Sequence, residues 1–210
     1  MFSMNLSSSI LYLVILIFSV VIHEVAHGYA ARRNGDETAA LAGRLTLNPI
    51  SHIDLFGSIL LPAILLVMHS PILLGWAKPV PVNPNNFANQ KRGTLHVSLA
   101  GVVANFGIAI VFGLVARFGV ELGMPESAMG AVYLIVLVNV VLGFFNLIPI
   151  PPLDGSKVLF ALLPARYAYI EIFLNRYAFI ILIAFVFFGA SFILEPLVKY
   201  SFIFLTGVPF

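Results

Sequence analysis

Two histidines and a glutamate lie at the end of an apolar stretch near the start of the chain. The segment HEVAH, His23 to His27, directly follows the apolar run ILYLVILIFSVVI. In an α-helix, residues at positions i and i+4 share one face, so the two imidazoles can bind a single metal ion. Zn²⁺ takes such nitrogen ligands, and the adjacent glutamate can accept a proton from a metal-activated water. The pattern H-E-x-x-H therefore predicts a zinc site with Glu24 as the general base.

The alternative for these three residues is a polar patch buried in a helix bundle. Ionisable side chains inside a membrane span cost about 2.5 to 3.5 kcal/mol each and usually mark function. Their spacing favours the metal site over the polar patch. Arg32 follows His27 by about 7.5 Å along a helix, which places the site below the membrane surface.

A catalytic zinc usually has three protein ligands and one water. Asp154, in NLIPIPPLDG, is the leading candidate for the third ligand. It follows an apolar span, and the prolines before it preclude a regular helix. Irregular backbone at membrane depth is tolerated where it lines a site. A solvated Asp-Gly turn is the alternative, and Glu171 is a second candidate ligand, although RYAYIEIFLNR is more typical of an interfacial helix.

Composition indicates where these residues must be positioned. The chain has 210 residues, of which 60% are hydrophobic and 10% charged, and its mean hydropathy is +1.04. Soluble domains carry about 25% charged residues, so we predict one all-α polytopic membrane domain over residues 1–210. Its core covers about residues 10–160, and a C-terminal helix and tail cover 161–210. We expect no cleaved signal peptide, no thiolate ligand, because cysteine is absent, and no nucleic-acid partner.

The apolar segments predict about four full transmembrane helices. The polar stretch AGRLTLNPISHID after the first helix predicts a small β element, since its residues partly alternate. The C-terminal tail is apolar enough to lie in the membrane interface or to dip into it. The predicted spans run roughly from Leu6 to Ala31, Leu95 to Ala116, Gly130 to Ile148, and Tyr177 to Glu195.

Basic residues orient the spans, because Lys and Arg concentrate in cytoplasmic loops. Three loops are basic, and they follow the first helix, the segment Leu55–Trp76 and the third helix. All three face the cytoplasm only if Leu55–Trp76 enters and leaves on one side, so we predict a re-entrant segment there. The same arrangement brings Asp154 to the membrane depth of the histidine pair, with the site toward the cytoplasm.

HEVAH together with NLIPIPPLDG, the pattern N-x-x-P-x-x-x-x-D-G, resembles the site-2 protease family of intramembrane zinc metalloproteases. The resemblance covers about residues 10–160. NPISHIDLFG and GWAKPVPVNP resemble the short bacterial branch, without PDZ or nucleotide-binding domains. The resemblance implies one zinc ion per chain, bound by His23, His27 and Asp154, with Glu24 as the catalytic acid and base.

Four further residues are predicted to support the site. Asn146 matches the asparagine of the motif and is expected to orient the Asp154 loop or to hold the substrate backbone. SLAGVVANF resembles the family's A-G-P-x-x-N stretch, with Val102 in place of the proline and Asn105 at the matching position. His52 and Asp54 share one face of an extended stretch. They are either a pair that supports the metal ligands or relays protons near the site, or an exposed loop pair.

The predicted function is that of an intramembrane zinc endopeptidase in a bacterial inner membrane. By resemblance, its substrates are membrane proteins cut within or near their transmembrane segments, and the lipid bilayer is its other partner. Two alternatives remain open at this point. One is a membrane metalloprotease that cuts from the aqueous side with Glu171 as third ligand, and the other is a non-catalytic scaffold or transporter with a structural metal.

Overall fold

A computed structural model of the chain describes residues 6–60, 64, 67–68, 77–119, 121 and 123–210. The described residues are mainly helical. Short 3₁₀ turns lie at Pro49–His52, Pro84–Asn86 and Ala165–Tyr167, and π-helical turns at Leu55–Leu60 and Phe185–Gly189. The α-helices are α1 (Leu6–Arg33), α2 (Thr38–Leu41), α3 (Gln90–Gly119), α4 (Glu126–Leu147), α5 (Asp154–Leu162), α6 (Ala168–Ala184) and α7 (Ala190–Thr206).

Four helical segments of the described residues are long and apolar enough to cross a membrane. They are Ser9–Arg33, Gln90–Gly119, Ala128–Leu147 and Ala165–Thr206. The prediction of an all-α integral membrane protein with about four spans is confirmed by these segments. The fourth comprises 42 residues, about 63 Å if straight, which is roughly twice the thickness of the hydrocarbon core.

Helix α3 lies at the centre of the bundle and packs against α1, α4, α5 and α7. Gly101, Ala109, Gly113 and Ala116 are all buried along it. Small residues of this kind allow membrane helices to approach closely. Ala109 packs with buried residues of α4 and α7 in an apolar cluster, whose other members are Val136, Val140, Val198 and Phe202.

The contacts between helices fix their relative directions. His23 of α1 contacts Asn105 of α3, whereas the later His27 contacts the earlier Val97. Helices α1 and α3 are therefore antiparallel. Ser19 of α1 pairs with Asn139 of α4, and His23 pairs with Asp154 just beyond α4, so α1 and α4 run in the same direction. This arrangement brings the end of α4 to the depth of the histidine pair, as the sequence predicted.

The predicted β element after α1 is wrong, because the described residues contain no strand. Backbone carbonyls that would pair with a neighbouring strand accept hydrogen bonds from side chains instead. The buried Arg44 donates to the carbonyls of Lys78 (2.8 Å) and Pro79 (3.3 Å), and His52 donates to the carbonyl of Thr46. The neighbouring segment of the polypeptide contains prolines at positions 79 and 81. These lack the N–H that hydrogen bonding between strands requires.

The C-terminal end is more regular than predicted, because the last helix does not fade near Glu195 and Pro196. Helix α7 continues through Pro196 to Thr206. Val198, Phe202 and Thr206 are buried, and their i, i+4, i+8 spacing aligns them on one face that packs against α3 and α4. A proline is tolerated inside a membrane helix when neighbouring groups or local adjustments satisfy the backbone groups that it frees. The segment is thus part of the bundle.

The predicted re-entrant segment Leu55–Trp76 falls largely on residues 61–63, 65–66 and 69–76, which lie outside the described residues. Its first residues, Leu55–Leu60, form a π-helical turn. The re-entrant topology therefore stays a prediction.

Candidate metal centre

The histidine pair lies on the buried face of α1, near its C-terminal end. His23 is 6% exposed and His27 is 7% exposed. Their Nε2 atoms are 2.9 Å apart, as the i, i+4 spacing on an uninterrupted helix predicts. Because α1 has no proline and no break between Leu6 and Arg33, the helix itself fixes this separation.

Asp154 joins the pair from the first turn of α5. Its Oδ2 lies 3.1 Å from Nε2 of His23 and 3.0 Å from Nε2 of His27. The prolines before it end α4 at Leu147 and turn the chain back toward α1. A Cβ atom on Gly155 would collide with the carbonyl of Leu147, so this glycine permits α5 to begin directly against the end of α4. The pair Asp-Gly is therefore not a solvated turn.

The cluster is suited to one zinc ion in both chemistry and spacing. The three facing donor atoms, from His23, His27 and Asp154, are 2.9 to 3.1 Å apart. In a tetrahedral zinc site with bonds of about 2.0 to 2.1 Å, neighbouring ligand atoms lie about 3.3 Å apart. Among the described residues this is the group of His, Asp and Glu side chains that can hold a metal. A small adjustment of the side chains gives the spacing that zinc requires.

Each imidazole is oriented by a partner of its other nitrogen. Nδ1 of His27 donates to the carbonyl of Val97 at 2.7 Å. Nδ1 of His23 lies 2.6 Å from Oδ1 of Asn105. With protons on both Nδ1 atoms, both Nε2 lone pairs face the cluster, which is the form a metal-binding histidine requires. Asn105, predicted as a support residue, thus contacts a candidate ligand directly.

The second oxygen of Asp154 is held by Lys157, one helical turn further along α5. The distance from Nζ to Oδ1 is 2.9 Å. The lysine is about half-exposed, whereas Asp154 is buried. This ion pair leaves Oδ2 of the carboxylate directed toward the two imidazoles.

Glu24 contacts the segment that leads into α3, at Val80. Its Oε2 accepts a hydrogen bond from the backbone N–H of Val80 at 2.8 Å. Val80 is itself 7% exposed and lies between two prolines. Sequence analysis missed this contact, because a backbone donor has no residue-type signature.

The other predicted residues form hydrogen bonds with partners outside the cluster. His52 is buried, and its Nε2 donates to the carbonyl of Thr46, so it is not an exposed loop residue. Asp54 accepts from the N–H of Gly57 and starts the π-helical turn. The amide of Asn146 donates to the carbonyl of Leu142 in its own helix. The predicted roles of these three residues, in supporting the metal ligands, relaying protons or holding substrate, stay predictions. Glu171 lies exposed on α6.

A cavity of about 510 Å³ lies between the first turns of α3 and the segment from α5 to the first turn of α6. Lys157 contributes to its wall and also contacts Asp154. The cavity thus reaches a residue that touches the candidate metal site. Its other polar lining residues are Gln90, Lys91, Thr94 and Glu171.

Membrane-length helices surround a buried cluster of two histidines and an aspartate, beside the glutamate of H-E-x-x-H. Fold and site together define an integral membrane protein with a metallopeptidase type of centre. The model of peptidase family M50 matches residues 123–189, and a relative aligns with nearly the whole chain at 39% identity. The chain belongs to this family, the site-2 proteases, and is a metalloprotease.

Three relatives illustrate the similarity. "Putative zinc metalloprotease YwhC" of Bacillus subtilis is 39% identical over 90% of this chain and 86% of its own length. "Zinc metalloprotease MJ0392" of Methanocaldococcus jannaschii is 29% identical over 75% of this chain and 36% of its own length. "Putative zinc metalloprotease Rip2" of Mycobacterium tuberculosis is 33% identical over 67% of this chain and 52% of its own length. No solved structure matches the chain.

Proposed function

We propose that this metalloprotease is an intramembrane zinc endopeptidase that hydrolyses peptide bonds within or near the transmembrane segments of other membrane proteins. The observation that carries the proposal is the buried cluster of His23, His27 and Asp154 inside a bundle of membrane-length helices. Two relatives carry the word zinc in their names. In this chain, the nitrogen and oxygen donors of the cluster fit one zinc ion.

When bound, zinc supplies polarisation of the scissile carbonyl and lowers the pKa of water toward about 7. The chain supplies the proton transfers. Because Oε2 of Glu24 is held by the N–H of Val80, Oε1 is the oxygen free to take the proton of the attacking water. Glu24 then delivers that proton to the leaving amine. Asn105, the carbonyl of Val97 and Lys157 hold the three ligands in place meanwhile.

The identity of the third ligand separates this proposal from a protease that cuts on the aqueous side. Asp154 is 5% exposed and lies within 3.1 Å of both imidazoles. Glu171 is exposed on α6 and lines the cavity near Lys157. The buried position of Asp154 favours a water-restricted site inside the bundle. Lys157, which contacts Asp154, also lines the cavity and therefore lies between the cavity and the site.

We further propose that Leu55–Trp76 is re-entrant and that the site faces the cytoplasm of a bacterial inner membrane. The support comes from the two ends of that segment. The N–H of Lys78 donates to the carbonyl of His52 at 2.9 Å, so the chain returns to the point from which it left. Lys78 lies at the same end of the bundle as Arg32, which agrees with the positive-inside rule.

The proposal is tested on the purified protein with a panel of single-span membrane proteins as substrates. Glu24→Gln should retain zinc and lose cleavage by about 100-fold or more, because it removes the general base. Asp154→Ala should lose zinc, whereas Glu171→Ala should keep it. Mass spectrometry of the products should locate the cut within or next to the span. Undiminished cleavage by Glu24→Gln, or zinc loss in Glu171→Ala but not in Asp154→Ala, contradicts the proposal.

A further inference from the structure

A chain of buried amide side chains extends from His23 into helix α4. Nδ2 of Asn105 donates to Oδ1 of Asn139 at 2.9 Å. Asn105 and Asn139 are both fully buried. Nδ2 of Asn139 donates in turn to Oγ of Ser19 and to the carbonyl of Ile135, each at 2.9 Å. The connected side chains thus span three helices, and they end on a backbone carbonyl.

The Ile135 carbonyl determines which group donates and which accepts in each of these hydrogen bonds. The Ile135 oxygen can only accept, so the NH₂ group of Asn139 must face it. Oδ1 of Asn139 then faces Asn105, which must present its own NH₂ group in return. Oδ1 of Asn105 is left to face His23, and Nδ1 of His23 must be the protonated nitrogen.

Ser19 cannot set these roles, because a hydroxyl both donates and accepts. The opposite orientation of Asn139 would place its carbonyl oxygen against the Ile135 carbonyl. Two acceptors facing each other in a buried, low-dielectric site are unfavourable. A flip of Asn105 alone would likewise place its oxygen against Oδ1 of Asn139. The Ile135 carbonyl therefore selects one orientation for the amides of both Asn139 and Asn105.

We propose that Asn139 is a positioning residue for the metal centre. Anchored on the Ile135 carbonyl, it fixes the orientation of Asn105, which holds His23 with Nδ1 protonated and the Nε2 lone pair directed at the ligand cluster. The inference rests on the proposed function, since zinc is the ion that His23, His27 and Asp154 are proposed to bind. Asn139 touches neither substrate nor metal and acts through two other side chains.

The test compares three variants of the full-length protein in detergent. Asn139→Leu removes the acceptor that faces Asn105 while keeping a similar volume. Asn139→Asp keeps an acceptor facing Asn105 in either protonation state, although it can place a charge in the bundle. Ser19→Ala removes a neighbour of Asn139 and leaves the Ile135 anchor. Zinc affinity is measured by competition with a chelator, and thermal unfolding of the zinc-free protein is measured separately.

We expect Asn139→Leu to bind zinc about 10- to 100-fold more weakly, the range typical for lost partners of metal ligands. Asn139→Asp and Ser19→Ala should bind zinc with nearly wild-type affinity, even if Asn139→Asp is the least stable of the three. A purely structural role predicts instead that affinity falls in the order of stability.

Two results overturn the inference. One is wild-type zinc affinity in Asn139→Leu, and the other is an equal loss of affinity in Asn139→Asp and Asn139→Leu. A wild-type protein that binds no zinc overturns the proposed function itself, and the same titration reveals this separately. Tight zinc binding by the wild type with loss confined to Asn139→Leu supports both.

Discussion

At the scale of single residues, the general base is held by the backbone of a distant segment. Pro79 and Pro81 have no N–H, so Val80 is the donor available in this stretch of three residues. Its N–H points at Oε2 of Glu24. A hydrogen bond to a charged group stabilises by about 1.5 to 3 kcal/mol, which is enough to restrict the carboxylate to one orientation.

Val80→Pro removes this donor and should lower kcat by about 10- to 100-fold, because a misplaced catalytic group is costly. The backbone remains extended, since residue 80 already precedes a proline. KM and zinc content should change little. Val80→Ala keeps the N–H and is the matched control, with an expected kcat near that of the wild type. Cleavage rates of one membrane substrate check the prediction, and equal losses in both variants would assign the effect to packing.

The candidate ligands were predictable from sequence to different degrees. His23 and His27 follow from helical spacing alone, since α1 is uninterrupted. Asp154 followed from the required membrane depth, which is a property of the topology. The hydrogen bonds of Val80 and Asn139 could not be predicted, because they depend on how close separate helices and loops lie. A buried asparagine in an apolar helix predicts a partner without identifying which one.

At the scale of helices, the site depends on the close approach of α1 and α3. A Cβ atom at Gly101 would lie 2.5 to 2.6 Å from ring atoms of His23. No such distance occurs between real side chains, so the imidazole would have to move. Glycine at this position therefore lets α3 contact the face of the first ligand directly.

Gly101→Ala should displace His23 and reduce both zinc binding and proteolysis, the latter by about 100-fold. Gly107→Ala in the same helix is the control, because nothing lies within 4 Å of an added Cβ there. That control should be neutral or stabilised by up to about 1 kcal/mol, from higher helix propensity. Zinc titration and thermal unfolding of both variants check this. Full zinc affinity in Gly101→Ala would show that the imidazole has room to shift.

A second contact between elements joins the end of α1 to the segment before α3. The carboxylate of Asp36 accepts hydrogen bonds from the N–H of Asn83 (2.7 Å), the amide of Asn86 (2.8 Å), and the N–H and hydroxyl of Thr38. Burial opposes ionisation of Asp36, but these hydrogen bonds outweigh it and lower the pKa of Asp36 below its ordinary value.

This lowered pKa predicts an acid-sensitive loop. A depressed pKa stabilises the folded loop above the unfolded-state value of about 4, and that stabilisation is lost as the pH falls through the folded-state value. Hydrogen exchange at the amides of Thr38 and Asn83 should be slow near neutral pH and approach that of Asp36→Asn in acid. Comparison at each pH with Asp36→Asn removes the intrinsic pH dependence of exchange. Equal protection in both proteins at neutral pH would contradict the prediction.

Elements with strong periodicity were predicted well, and those fixed by partners were not. The spans around His23, Asn105 and Asn139 follow from long apolar runs. The predicted β element failed because Arg44, rather than a second strand, takes the available carbonyls. The predicted last span ended at Glu195, before Pro196, and was therefore too short. The i, i+4, i+8 spacing of Val198, Phe202 and Thr206 is typical of a helix.

At the scale of the whole molecule, the candidate ligands join distant parts of the chain. His23 and Asp154 are separated by 131 positions, and α3 lies between the helices that carry them. In the unfolded protein Asp154 is far from the histidine pair, so zinc should bind the folded state in strong preference. Metal binding and stability of the bundle are therefore linked.

Removing zinc should destabilise the whole bundle. A ligand that binds only the folded state adds about 2.7 kcal/mol when its free concentration is about 100 times Kd. Thermal unfolding of the purified protein should thus shift to lower temperature with a chelator and recover when zinc is restored. Asp154→Ala should unfold at one temperature under both conditions, because it lacks the third ligand, whereas Glu24→Gln should respond like the wild type. A chelator response in Asp154→Ala equal to that of the wild type would place the stabilising zinc elsewhere in the molecule.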